Sequence, residues 1–422
     1  MLAGISLGII VIIIIIGIIR PKINLGFLAI GSAFAIGIWL MGSSDKELVK
    51  LFPASLFLML TAMTYLFSLA NENKTLQQLT DRMVMFVHGK PFLLPLMFFG
   101  MSVLLSAAGP GNIAAVALLA PIGMMMAYQT KQSLLLMAIM ICTGANAGAF
   151  SPIAPTGVVA AGILQQINMN QANLPWVIFL AAAAIQSITA IAAFIVFTIV
   201  TKKRGQSTAA EKVTPTVLVL QPLQRNQVLT LLFLLLMLLC ILVLKLPLVL
   251  AASMAFIPIV ILDLADSEVA IKKMPWDAIL LVTGVSLLVG LLEKSGAIDL
   301  ATRMVVSISH PSYINAVLAF ITGVISAYSS SSGVVLPTFL PLVPKIIEQL
   351  GGGDSYRMAI AIAVGSHMVD VSPLSTLGAI CISSVPAISA LRNKLFRQLM
   401  IWGLAMAGVG AFLSYVLLDL TY

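Results

Sequence analysis

The sequence is poor in charged residues. Only 9% of its 422 residues are Asp, Glu, Lys or Arg, whereas 60% are hydrophobic and the mean hydropathy is +1.10. A water-soluble protein has no core large enough for that much apolar surface. The composition therefore excludes a soluble globular protein and indicates an integral membrane protein.

Cysteine is also scarce. Cys142, Cys240 and Cys381 lie in apolar segments and form no CxxC pair, so their placement favours packing over a metal or disulfide role. The formal net charge of +8 comes from basic residues at the ends of apolar segments. That distribution is typical of membrane topology and not of a nucleic-acid partner. The sequence indicates no organic cofactor.

Apolar segments long enough to cross a bilayer, about 20 residues as a helix, recur along the chain. We predict an all-α polytopic fold with ten transmembrane helices. The predicted spans are 1–19, 23–41, 51–70, 133–163, 175–200, 227–245, 247–263, 276–292, 356–385 and 398–420. The first has no basic start and no small-residue cleavage site, so we interpret it as a span and not as a signal peptide.

Two further apolar regions, 91–127 and 312–342, carry small or polar residues at their centres. We predict that each is a re-entrant hairpin, because non-helical backbone is tolerated at membrane depth only where protein or water surrounds it.

Lys and Arg fall unevenly between the predicted loops. With the amino terminus outside, most of the 23 Lys and Arg residues lie in loops on the opposite side, and positively charged loops stay in the cytoplasm. We therefore expect a multi-pass protein of the cell membrane, in our interpretation a bacterial inner membrane, with both termini outside.

Two motifs of the first half return in the second half. GANAGAFSPIAPTG at 144–157 pairs with GSHMVDVSPLSTLG at 365–378, and SAAGPGNIAAVALLAPI at 106–122 pairs with SAYSSSSGVVLPTFLPL at 326–342, each about 220 residues apart. With five crossings per half, an odd number, the second copy lies upside down relative to the first. This is the inverted-topology repeat of secondary transporters.

The repeats define the predicted domains. The first repeat covers 1–200 and contains the broken helix 133–163; a cytoplasmic linker covers 201–226; the second repeat covers 227–422 and contains the broken helix 356–385.

Broken helices expose backbone groups. Each unsatisfied N–H or C=O group at membrane depth costs several kcal/mol. Helix N-termini bind anions, whereas free carbonyl and hydroxyl oxygens coordinate small cations. We expect the two hairpin tips and the two broken helices to form one central site for an anion and its coupling cations. No Lys or Arg lies in the predicted core, so dipoles and hydroxyls would hold the anion.

Candidate residues follow from these positions. The predicted substrate-binding residues are Gly111, Asn112, Ser330, Ser331 and Ser332 at the tips, with Thr156 and Ser375 at the breaks. The predicted cation-binding residues are Ser106, Asn112, Gly144, Asn146, Ser151, Ser331, Gly365, Asp370 and Ser372.

The second break carries two ionisable residues, His367 and Asp370. A buried carboxylate costs about 2.5–3.5 kcal/mol on insertion scales, so Asp370 should be protonated, paired or bound to a cation. Two interpretations stay open: a cation or proton role, and a fixed hydrogen bond of His367 to Asp370 or to the backbone. Asn146, the repeat partner of His367, is interpreted as a ligand or as a residue that stabilises the break.

The sequence GPGNIAAVALLAPIG followed by GANAGAFSPIAPTG resembles the MatC-type malonate and dicarboxylate carriers, in the ion-transporter superfamily that includes the divalent anion:sodium symporters. The resemblance implies uptake of a small dicarboxylate such as malonate or succinate, coupled to sodium, by a homodimer with an elevator motion. Each hairpin tip of that superfamily carries Ser-Asn-Thr. Here the tips read Gly-Asn-Ile at 111–113 and Ser-Ser-Gly at 331–333, so Asn112 and Ser331 keep the family residue.

Alternatives stay open. Asp370 lies outside the family pattern, so a proton-coupled organic anion transporter or exchanger is one of them. A passive anion channel is another. An intramembrane enzyme needs a paired acid/base or metal cluster; DLADSE at 263–268 resembles an acidic metal motif but has no second acidic cluster in the other half. We interpret it as a solvated loop and predict no enzyme.

Overall fold

The computed structural model describes residues 23–85, 91–169, 173–203, 222–327, 329–386 and 388–420, with scattered positions before residue 17. Within these ranges the chain forms helices and no strand, which confirms the all-α prediction. The predicted span at 1–19 and most of the predicted linker at 201–226 lie outside the described residues.

The described α-helices of the first half range from 6 to 30 residues in length. They are α1 (Leu25–Ala35, continued by a π-helix at Ile36–Leu40), α2 (Asp45–Lys50), α3 (Ala54–Glu72), α4 (Thr75–Met85), α5 (Leu94–Ala107), α6 (Gly111–Gln129), α7 (Leu134–Ala149), α8 (Pro155–Gln166) and α9 (Leu174–Lys203).

The second half is also built of helices. Its helices are α10 (Arg225–Leu242), α11 (Leu248–Ile261), α12 (Ser267–Lys272), α13 (Trp276–Lys294), α14 (Ala297–Ser307), α15 (Ile314–Ser326), α16 (Leu336–Phe339), α17 (Val343–Leu350), α18 (Ser355–Met368), α19 (Thr376–Ser383) and α20 (Ser389–Ser414). A π-helix at Ser331–Val335 precedes α16, a 3₁₀ turn at Leu340–Leu342 follows it, and a π-helix at Tyr415–Asp419 follows α20.

Six helical segments of the described chain are long and apolar enough to cross a membrane, and further apolar helices are shorter. The six segments are Ala54–Glu72, Gly111–Gln129, Leu174–Ile199, Trp276–Lys294, Ser331–Leu350 and Ser389–Asp419. The chain is therefore a multi-pass membrane protein. The predicted count of ten crossings stays a prediction.

The broken helices lie at the centre of the protein. Every residue from Leu136 to Ala149 in α7, and every residue from Met358 to Met368 in α18, is buried. Small residues allow this. A Cβ on Gly144 would collide with the backbone carbonyl of Phe99 in α5, and a Cβ on Gly365 would collide with that of Ala319 in α15.

The helix breaks fall later than the first residues of the predicted motifs. α7 continues to Ala149 and α18 to Met368, so Gly144, Asn146 and Gly365 lie inside helices and not in the breaks. The glycines permit close packing of neighbouring helices, and the interruptions begin after Ala149 and Met368, where Pro152 and Pro373 follow within a few residues.

Helix α20 begins at Ser389, well before the predicted span at 398–420. Arg392, Lys394 and Arg397, which fall between the predicted spans 356–385 and 398–420, therefore belong to a helix. Hydropathy detects only the apolar part of a helix, whereas charged residues can extend it beyond the hydrocarbon.

The acidic segment DLADSE also has a defined structure. Asp266 caps α12, because its Oδ1 accepts a hydrogen bond from Val269 N at 3.0 Å. Glu72 at the end of α3 accepts one from Asp266 N at 2.9 Å. The segment is thus a capped turn between α11 and α12, which agrees with a structural role.

Candidate functional site

The first hairpin tip is a tight turn that requires glycine. α5 ends at Ala107 and α6 begins at Gly111. Gly109 and Gly111 have φ of +125° and +83°, a region that L side chains rarely adopt. A Cβ on Gly111 would lie 2.8 Å from Cδ of Pro155, the first residue of α8. Glycine therefore lets the beginnings of α6 and α8 meet.

The residues that precede these two helices, Pro110 and Ala154, have no polar side chain and provide no side-chain cap. Among the described hydrogen bonds of these beginnings, only Ile113 N has a side-chain acceptor, Asn112 Oδ1. Gly111 and Thr156 are buried at the two beginnings. The first N–H groups of a helix have no partner within it and carry partial positive charge. Two such ends side by side form a suitable place for an anionic group.

The corresponding helix beginnings of the second half are capped by serine. Ser330 Oγ accepts a hydrogen bond from Gly333 N at 3.0 Å, and Ser375 Oγ accepts one from Gly378 N at 3.4 Å. Ser375 also donates to the backbone carbonyl of Asp370. Both hydroxyls therefore stabilise helix ends, and their contact with a substrate stays a prediction.

A chain of amides connects the first tip to both broken helices. Asn112 Nδ2 donates to Asn146 Oδ1 at 2.9 Å, and Asn146 Nδ2 donates to the backbone carbonyl of His367 at 2.9 Å. Asn112 Oδ1 accepts from Ile113 N at 2.9 Å. Asn146 is fully buried in the last turn of α7, and His367 lies in the last turn of α18. The amide chain therefore links helix ends from both halves.

A group of oxygen atoms surrounds the single carboxylate of Asp370 at the second tip, and we call it the acidic cluster. Ser331 Oγ donates to Asp370 Oδ1 at 2.6 Å, and Ser326 Oγ lies 2.6 Å from Ser331 Oγ. Ser331 Oγ also lies 3.2 Å from the backbone carbonyl of Ser366. These four residues are buried. Within the described ranges no ion pair involves Asp370. A buried, oxygen-rich group of this kind suits a small cation or a proton.

His367 and Asp370 do not form the side-chain hydrogen bond that one sequence interpretation allowed. His367 Nδ1 lies 3.1 Å from the backbone carbonyl of Ala363, and the His367 ring packs edge-on against Phe150 with 4.5 Å between centroids. The interpretation of a hydrogen bond to the backbone is confirmed. The ring of His367 is thus held by Ala363, one helical turn earlier, and by Phe150.

The remaining predicted residues make fewer hydrogen bonds to the groups described above. Ser151 and Ser372 are buried in the turns of the two breaks, where Ser372 Oγ accepts from Leu374 N at 3.4 Å. Ser106 is buried at the end of α5, and its hydroxyl has no partner among the residues that the structure describes. Ser332 is half-buried at the second tip.

The hairpins and the broken helices contact one another across the two halves. α6 contacts α19, and the segment from Ser331 to Phe339 contacts α8. Each hairpin therefore packs against the broken helix of the other half. The arrangement brings the uncapped helix ends, the amide chain and the acidic cluster into one region of the protein.

Two members of the acidic cluster, Ser326 and Ser366, are not among the site residues predicted from the sequence. The signal for Ser326 was present, because the repeat pairs it with Ser106, which was selected. Ser366 contributes its backbone carbonyl, and the identity of a side chain gives no indication of such a role.

Comparison with known proteins identifies a similarity over the first part of the chain. Residues 1–149 match the family described as dicarboxylate carrier protein MatC N-terminus. This part of the chain is therefore similar to the N-terminal part of MatC-type dicarboxylate carriers. The match confirms the resemblance seen in the sequence and ends at the last residue of α7. No curated protein matches the chain.

Proposed function

We propose that the protein is a cation-coupled secondary transporter of small dicarboxylates such as malonate or succinate. The observation that carries the proposal is the contact between the uncapped beginnings of α6 and α8. The first backbone N–H groups of these helices can bind a carboxylate, and the sequence places no Lys or Arg side chain in the predicted core to do so. Gly111, Asn112 and Thr156 lie at these ends, and Ser330 to Ser332 with Ser375 complete the proposed substrate contacts.

The coupling follows from the charge of the substrate. Moving a dianion into a cell that is 100 mV negative inside requires about 4.6 kcal/mol of electrical work. Two co-transported monovalent cations cancel that work, and their concentration gradients drive accumulation. We propose sodium as the coupling ion, with the oxygens near Ser106, Asn112 and Asn146 in the first half and Ser331 and Asp370 in the second as its candidate ligands.

The transport mechanism that we propose is an elevator motion of two inverted repeats in a homodimer of the cell membrane. Three pairs of elements support the repeat. The hairpins (α5–α6 and α15–α17), the broken helices (α7–α8 and α18–α19) and the long helices α3 and α13 recur in the same order, about 220 residues apart. Contacts of each hairpin with the other half's broken helix support one shared site.

Uptake into proteoliposomes tests the proposal. Labelled malonate or succinate is offered to the purified protein with sodium and pH gradients imposed separately. We expect saturable uptake that is stimulated by at least one gradient, together with exchange of labelled for unlabelled substrate. Absence of uptake of any dicarboxylate under either gradient would overturn the proposal. Flux without saturation and without exchange would indicate a passive anion channel.

A further inference from the structure

The second hairpin is fastened at its base by the C-terminal end of the described chain. Asp419 Oδ1 accepts hydrogen bonds from Asn315 Nδ2 at 2.7 Å and from Asn315 N at 3.3 Å, and its Oδ2 accepts one from Ala316 N at 3.1 Å. Tyr313, the residue before α15, makes no side-chain capping bond. Asp419 therefore caps α15 from a distant part of the sequence, where a carboxylate is favoured by the helix dipole.

The beginning of α18 joins the same cluster. Arg357 Nη1 donates to the backbone carbonyl of Leu418 at 2.7 Å. Arg357 also lies 3.7 Å from Asp354, whose carboxylate caps α18 by accepting from Tyr356 N at 2.7 Å. We call Asn315, Asp354, Arg357 and Asp419 the hairpin clamp. It connects the beginnings of α15 and α18 to the end of α20.

Helix α15 is held at its base by Asp419, which follows α20, and at its other end by Asp370, which follows α18. At 13 residues it spans roughly 20 Å at 1.5 Å per residue. Its first residues are in the hairpin clamp, and its last residue, Ser326, is in the cluster around Asp370. Between the two ends, Gly365 allows backbone contact with Ala319. α15 is therefore a rod whose base position determines where the second tip lies.

The widening of the C-terminal helix places Asp419 in the hairpin clamp. α20 changes from α-helical to π-helical geometry at Tyr415–Asp419, which adds a residue to the turn and rotates the side chains that follow. Asp419 and Asn315 are both buried. By contrast, Leu93, the residue before α5 in the first hairpin, has no polar side chain and forms no cap.

We propose that Asp419 is a positioning residue for transport: the hairpin clamp keeps the base of the second hairpin fixed to α18 and α20 throughout the cycle. The second hairpin then exposes the site only by movement of its tip, at Ser330, Ser331 and Ser332. This inference rests on the proposed transport function, because it concerns how the carrier moves. It assigns a task to a residue remote from the substrate contacts.

Loss of the hairpin clamp should weaken apparent substrate affinity. If the base of α15 is no longer fixed, the second tip occupies its binding-competent position only part of the time. The apparent affinity then falls in proportion to that fraction. In a C142S/C240S/C381S background we expect D419C to raise the KM for dicarboxylate exchange about tenfold. The maximal rate per folded carrier should change less than twofold. A merely structural role would lower the amount of folded carrier and leave KM unchanged.

A reversible cross-link provides the decisive experiment. A short bis-methanethiosulfonate reagent is applied to N315C/D419C, and a reductant then removes it. We expect cross-linking to restore KM to within twofold of the parent protein, and reduction to raise it again. D419C treated with the same reagent is the matched control and should not recover. L281C/G333C, which joins α13 to the second tip where Gly333 packs on Leu281, should stop exchange when cross-linked.

The outcomes separate the inference from the proposed function. If the parent protein exchanges no dicarboxylate, the proposed function fails. If the parent is active but cross-linked N315C/D419C is inactive, the base must move and the inference is overturned. An unchanged KM in D419C would overturn it as well. If D419C does not fold, D419N, which keeps one acceptor oxygen, replaces it, with an expected rise in KM of about threefold.

Discussion

Asn146 uses both ends of its amide group in the core of the protein. It accepts from Asn112 and donates to the carbonyl of His367, so one side chain connects the first hairpin to the end of α18. A buried polar group that loses its partner costs about 1–3 kcal/mol. Removal of this amide therefore takes one partner from the half-buried amide of Asn112 and one from the buried carbonyl of His367.

We predict that N146A lowers the free energy of unfolding by about 1–3 kcal/mol and weakens stabilisation by succinate. Thermal unfolding with and without succinate measures both effects. The matched control is N393A, because Asn393 lies on an exposed part of α20 and should change stability by less than about 0.5 kcal/mol. Equal behaviour of the two variants would contradict the proposed role of the amide chain.

Asp370 is the residue whose replacement tests ion coupling. D370N keeps a group that can accept from Ser331 but removes the negative charge that a cation or proton would neutralise. We expect D370N to lose at least one of the gradient responses seen in the wild type. Transport under separate sodium and pH gradients is the measurement, with E293Q at the exposed end of α13 as the control. Unchanged ion dependence in correctly folded D370N would remove Asp370 from the coupling mechanism.

Polar residues in apolar segments could be predicted from the sequence, but their partners could not. Asn146 and Asp370 were selected because a polar group at membrane depth needs a reason. The partner of Asp370 depends on the close approach of α15 and α18, which the spacing of residues along the chain does not encode. The same limit explains why the sequence left open whether His367 bonds to Asp370 or to the backbone: a separation of about one helical turn does not determine which partner a side chain takes.

At the scale of helices, glycine determines how the hairpins sit on the broken helices. Gly144 and Gly365 occupy equivalent positions in α7 and α18, and at each of them a neighbouring backbone carbonyl takes the place of a side chain. Interiors are packed at crystal-like density, so an added methyl group at such a contact forces the helices apart.

We predict that G365A lowers the free energy of unfolding by about 1–3 kcal/mol, the usual cost of overpacking. The control is G408A in α20, because a Cβ on Gly408 meets nothing within 4 Å. That substitution should be neutral or stabilising by up to about 1 kcal/mol, since alanine favours the helix. Thermal unfolding in detergent compares the two. A G365A protein as stable as G408A would show that α15 and α18 are not in backbone contact.

The approximate position of each helix break could be predicted, whereas its residue boundaries could not. Proline and small residues marked 144–157 and 365–378, and helices end there at Ala149 and Met368. Hydropathy missed the amphipathic helices α4 and α14, because a helix that lies along the membrane surface or packs at one face shows no long apolar run. The capping of α15 by Asp419 could not be predicted, since it joins distant parts of the chain.

At the scale of the whole molecule, the two halves interlock through their broken helices. Cys142 in α7 and Cys381 in α19 are buried, with their Sγ atoms 3.5 Å apart. The sequence indicated packing roles for both, and the structure places the two thiols in direct contact across the repeat boundary. Their proximity is a measurable consequence of the proposed arrangement of the halves.

We predict that mild oxidation with copper phenanthroline links Cys142 to Cys381 in a C240S protein. The two thiols give two electrons to the oxidant and release two protons, and the new bond joins peptides from opposite halves. Mass spectrometry after proteolysis identifies the linked pair, and C240S/C381S is the control. Separate modification of both thiols without a linked peptide would contradict this packing of the halves.

The most direct test of the account is to locate a bound dicarboxylate by cryo-electron microscopy of the protein in lipid nanodiscs with succinate. The account predicts a carboxylate within about 3.2 Å of backbone N–H groups at the beginnings of α6 and α8, with the rest of the ligand facing the second hairpin tip. A dicarboxylate bound elsewhere, or continuous helices in place of the breaks after Ala149 and Met368, would contradict it.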